Sequence, residues 1–96
     1  MSQPIRVLHL EDSAAEAELI QSELKAVQPQ CEITWVQRQT DYVNALETPR
    51  FHLILCDYNP NGLDGLTALK LAQERQSGVP VIMAPARPTR IRRSNA

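Results

Sequence analysis

The sequence predicts an α/β fold in which a parallel sheet carries helices on both faces, within one small domain. Three observations lead there. Short apolar runs alternate strictly with stretches of helical period, the signature of repeated strand–helix–strand units. The helical stretches are long enough to serve as right-handed crossovers between parallel strands. The chain has 96 residues, enough for a single domain with a thin core. Hydrophobic residues make up 43% and charged residues 22%, the ordinary balance of a soluble globular protein. No apolar run approaches the roughly 20 residues that cross a bilayer. The opening "MSQPIRVLHL" carries one Arg and a short apolar stretch that runs straight into acids, which is unlike a signal peptide. The expectation is a cytoplasmic protein.

The elements follow in order. "IRVLHL" (5–10) is rich in branched aliphatics and predicts the first strand. In "EDSAAEAELIQSELKAV" the period changes: Ala17, Ile20, Leu24 and Val27 recur at helical spacing, with acids on the other face. Ser13 and Glu16 have capping-box spacing and place the helix start just after the acid pair. "QPQ" ends that helix, and "CEITWV" (31–36) is the second strand. "TDYVNALE" (40–47) predicts a short second helix stopped by Pro49. "FHLILCD" (51–57) is the third strand, a continuous apolar run of the kind buried on both faces, and "YNPNG" the loop after it. "LDGLTALKLAQERQ" predicts a third helix whose apolar stripe holds Leu66, Leu69 and Ala72, ended by Ser77 and Gly78. "VPVIMA" (79–84) is the fourth strand.

Charge divides the chain unevenly. Residues 1–86 carry eleven acids against six bases, whereas the last ten residues carry Arg87, Arg90, Arg92 and Arg93 and no acid. The organisation expected is a domain over 1–86 and a basic, disordered tail over 87–96. Four arginines without interleaved aromatics fall short of a nucleic-acid interface. Cys31 and Cys56 make no CxxC pair and have no His at zinc-ligand spacing, so both are expected to be buried structural thiols. His9 and His52 lie in or beside strand-like runs and are expected to be hydrogen-bonded rather than ligating or catalytic.

In a parallel α/β sheet, ligands sit beyond the carboxyl ends of the strands. Glu11 and Asp12 follow the first strand, and Asp57 ends the third. If those strands are neighbours, three carboxylates converge, and they cannot all stay ionised without a cation. Oxygen-only ligands with water access suit Mg²⁺. A carboxylate held in that way is a competent nucleophile toward phosphorus and would form an aspartyl phosphate.

The pattern "LHLEDS … LILCDYNPNGLDGLTALKLAQERQSGVPVIMA" resembles the receiver domain of two-component response regulators, from residue 5 to about 84. The resemblance implies a flavodoxin-like doubly wound sheet of order 2-1-3-4, lacking the family's fifth strand and fifth helix. It implies Asp57 as phosphoacceptor, Asp12 as direct Mg²⁺ ligand, Glu11 acting more through water, and the Asn59 backbone carbonyl as a further oxygen. The phosphoryl group would come from a sensor histidine kinase or a histidine phosphotransfer protein. Such a domain is a phosphoacceptor rather than an enzyme.

Several positions depart from the family pattern. Pro60 and Asn61 stand where receivers carry Leu-Pro before the glycine, here Gly62, which reshapes the loop presenting the Asn59 carbonyl. After the fourth strand the family places a Ser or Thr; here Ala84, Pro85 and Ala86 follow "VPVIM", and Thr89 lies further on. The Lys that ends the family's fifth strand has no counterpart, since neither Lys25 nor Lys70 matches it. A fourth strand left as an open edge predicts association into a homo-oligomer. Two other readings stand beside phosphoacceptance: a degenerate receiver serving only for interaction or dimerisation, and a truncated product of a longer regulator.

Overall fold

The computed structural model describes residues 4–57 and 65–84. The order is β1 (Arg6–Leu10), α1 (Ala14–Val27), β2 (Glu32–Val36), α2 (Gln39–Leu46), β3 (Leu53–Asp57), α3 (Gly65–Arg75) and β4 (Val81–Ala84). The four strands form one parallel sheet in the order β2-β1-β3-β4, as expected. The elements thus match a flavodoxin-like arrangement without its last strand and helix among the described residues. No helix among them is long and apolar enough to cross a membrane.

Strand alternation sorts the side chains onto two faces. Leu8, Leu10, Val36, Ile54 and Cys56 point to one, where they form the core with Tyr42, Ala45 and Leu46 of α2 and with Ala68 and Ala72 of α3. The other face carries the register row Trp35–His9–Leu55–Ile82. Helix α1 lies over this face, with Ala17 buried and Trp35 beside Ala14 and Ala17. Cover is greatest over β1, where Val7 and His9 are buried, and falls away toward β4, where Ile82 is 53% exposed.

Two predicted stripes need correction. On α3 the buried residues are Gly65, Ala68 and Ala72, while Leu66 is 66% exposed. The helix packs close to the sheet through its small residues, and that rotation turns Leu66 outward. On α1 Ala17 is buried and Ile20 and Leu24 are half-buried, but Val27 is 83% exposed because the last turn overhangs the sheet. The caps behave as read: the Ser13 hydroxyl accepts from the Glu16 N–H at 3.3 Å.

Both cysteines are buried free thiols, as expected. The Tyr42 hydroxyl donates to the Ala68 carbonyl at 2.7 Å and lies 3.5 Å from the Cys56 sulfur, tying α2, β3 and α3 together. His52 Nδ1 accepts from the Arg6 N–H at 2.9 Å, while His9 departs from expectation. His9 is buried and its Nδ1 has no hydrogen-bond partner among the described residues, so burial lowers its pKa to about 4. It stays a neutral core residue.

At the opposite end of the sheet a buried side chain organises the connections. Gln76, just past α3, accepts from the Phe51 N–H at 2.7 Å and donates to the carbonyls of Leu46 (3.0 Å) and Thr48 (3.2 Å). These are the backbone groups that the end of α2 and the entry to β3 leave without regular partners. Arg6 donates to the Pro49 and Arg50 carbonyls and stacks 4.4 Å from the Phe51 ring centroid. Gly78 takes φ +90°, the left-handed conformation that turns the chain from α3 into β4.

Candidate functional site

The site is assembled by strand pairing. β1 and β3 are adjacent and parallel, with Leu10 in register with Cys56. The next residues are Glu11, just past the end of β1, and Asp57, the last residue of β3, so the two lie at adjacent strand ends. On the far side, Asp57 is in register with Ala84 of β4. The adjacency on which convergence of the carboxylates depended is therefore present. Asp57 is described at its backbone, and Asn59 with its loop lies outside the described residues.

Glu11 and Asp12 differ sharply despite being neighbours. Glu11 is 1% exposed, whereas Asp12 is exposed to solvent. The Glu11 backbone is pinned from β2: its N–H donates to the Val36 carbonyl at 3.0 Å, and its carbonyl accepts from the Trp35 indole N–H at 2.8 Å. Gln37 adds a longer bond of 3.4 Å to the Asp12 carbonyl. The Glu11 carboxylate accepts from the Ser13 N–H at 3.0 Å. Sequence reasoning found Ser13 as a cap but missed Trp35 and Gln37, because nothing local to the second strand says that its side chains hold the loop after the first.

Burial raises the Glu11 carboxyl from 4.5 to about 7; the hydrogen bond from Ser13 opposes the rise, while Asp12 and Glu16 add to it. Near neutral pH this group is poised between its two forms. A divalent cation at the strand ends would hold it ionised, and carboxylate oxygens with water access are the kind of donor that Mg²⁺ takes. Among the described residues no group of three His, Cys, Asp or Glu side chains is placed to hold a metal. The Asp57 carboxylate and Asn59, both in the expected ligand set, lie outside what is described.

The chain matches the family model for the response regulator receiver domain over residues 7–94, beyond the stretch that carried the resemblance in the sequence. No curated protein matches it.

Proposed function

Because the chain belongs to the response regulator receiver domain family, and so to two-component signal transduction, we propose that Asp57 accepts a phosphoryl group from a phosphohistidine. The donor is a sensor histidine kinase or a histidine phosphotransfer protein, and the setting is cytoplasmic. The observation that supports this most directly is the pairing of β1 with β3, since Glu11 follows the first of these strands and Asp57 ends the second. A carboxylate oxygen of Asp57 attacks phosphorus as the P–N bond breaks, and the bonding pair returns to the imidazole nitrogen. Glu11, Asp12, Asp57 and the Asn59 carbonyl would hold Mg²⁺, with Glu11 acting more through water. When bound, that ion neutralises charge on the transferring phosphoryl oxygens. Trp35 and Ser13 fix the loop carrying the acid pair, so that little reorganisation is needed at transfer.

The readout end differs. Ala84, in register with Asp57, has no hydroxyl to offer an aspartyl phosphate. Phosphorylation should therefore restructure the β4 side less than in relatives with that hydroxyl. Incubation with Mg²⁺ and acetyl phosphate should give a phosphoryl mass increment that Asp57→Asn abolishes. No increment at saturating Mg²⁺ would overturn the proposal.

Exposure of Ile82 and the place of β4 at the sheet edge among the described residues favour a second, compatible role, association with another copy through this edge. Light scattering should report more than a monomer at micromolar concentration, and a stable monomer there would exclude it.

A further inference from the structure

A groove of about 320 Å³ runs between α1 and β2, lined by Ala14, Ala17, Glu18, Gln21 and Trp35. It lies on the α1 face, at the sheet edge farthest from β4. Its lining is chemically selective. Ala14 and Ala17 leave room, and the Trp35 ring is held in place by its indole N–H bond to Glu11 and remains 38% exposed. The Glu18 carboxylate has no ion-pair partner among the described residues. Gln21 Nε2 is a buried amide donor with no hydrogen-bond partner among them. An aromatic face and a carboxylate select a planar cation, and a buried amide donor selects a carbonyl. One ligand supplies both: an arginine together with its own peptide backbone.

The chain itself contains such a ligand. Residues 85–96 lie outside the described residues and carry Arg87, Arg90, Arg92 and Arg93 without an acid, whereas the rest of the chain has a net charge of −5. The segment leaves β4 at the carboxyl edge of the sheet, the edge at which α1 begins. From β4 to β2 is three strand spacings, roughly 14 Å. Arg90 is six residues beyond Ala84 and Arg92 eight, extended reaches of about 20 and 27 Å. The way across passes the acidic Glu11–Asp12 turn.

We propose that this arginine-rich segment folds back across the carboxyl edge of its own chain and seats Arg90 or Arg92 in the α1–β2 groove, with the guanidinium against Trp35 and paired with Glu18.

Trp35 is the sole tryptophan, so its emission reports the groove alone. Acrylamide quenching is compared at low salt in the full chain, in the double variant Arg90→Gln/Arg92→Gln and in Glu18→Gln, none of which alters the described core. Both variants should quench about twofold more strongly than the wild type, because the cation that covers the ring is lost. At about 1 M NaCl, where the Debye length falls to about 3 Å, the wild type should converge on them. Equal quenching of wild type and double variant at low salt overturns the proposal. So does protection that grows over roughly a hundredfold rise in protein concentration, since the occupant would then be a second copy.

Discussion

Replacement of Gln76 by Leu tests the reasoning on which the junction of α2, β3 and α3 rests. The side chain is buried and closes three hydrogen bonds to backbone, of which those to Phe51 and Leu46 are buried and that to Thr48 is partly so. Leucine is similar in size, so the change removes the polar pairing and leaves little cavity. A net hydrogen bond contributes about 1 kcal/mol, and a buried group left unpaired costs about 1–3 kcal/mol. Weighting the partly buried bond less, Gln76→Leu should cost about 3 kcal/mol. A chain of this length has a total stability of roughly 5–14 kcal/mol, so the loss is a large share. In urea, with a slope of about 1.5 kcal/mol per M, the midpoint should fall by about 2 M at unchanged slope. Gln76→Glu keeps the acceptor for Phe51 but sets a carboxylate against two carbonyls. Its folded pKa is then raised, so the variant should regain part of its stability as pH falls through that raised value, with the recovery complete by about pH 4.3, because the protonated acid donates again. A Gln76→Leu midpoint within about 0.5 M of wild type would refute the assignment of Gln76 as the organiser of this junction.

Two further outcomes follow from the structure. Glu11, raised to about 7, holds a proton in the folded chain that the unfolded chain releases above 4.5, so its contribution to metal-free stability declines as pH rises through that window. His9, lowered to about 4, acts oppositely, its contribution being lost as pH falls below 6.5, and over pH 4.5–6.5 the two nearly cancel in the wild type. Urea midpoints in EDTA should therefore show Glu11→Gln gaining about 2–3 kcal/mol on the wild type between pH 4.5 and 7, and a pH-independent difference would contradict the raised carboxyl. Gly78→Ala forces a Cβ into φ +90° and toward the Arg50 guanidinium at 2.7 Å. That side chain can yield, so the backbone dominates and thermal unfolding should register a loss of about 1–2 kcal/mol; a neutral result would mean the turn relaxes.

The order of elements was legible in the sequence because it depends on local period and punctuation. Branched runs, the Ser13–Glu16 cap, Pro49 and Gly78 each act on their own neighbours. The candidate site residues were legible for a related reason: Glu11, Asp12 and Asp57 stand where apolar strands end, a position visible from the run itself. Which side of a helix faces the core was less so. Leu66 is more hydrophobic than Ala68, yet Ala68 is buried, because close approach of α3 to the sheet favours the smaller side chain.

The sequence by itself determined four strands, three helices and three carboxylates at strand ends. The order of the strands was implied only by the family resemblance, not by local period, and the tertiary structure shows β1 and β3 as neighbours, which brings the strand ends carrying Glu11 and Asp57 together. It likewise decided that Glu11 is buried while Asp12 is exposed, that Trp35 holds the turn between them, and that Gln76 joins three connections. Strand order, burial and hydrogen bonds across the sheet depend on residues tens of positions apart, and local periodicity contains no record of which distant partner is chosen.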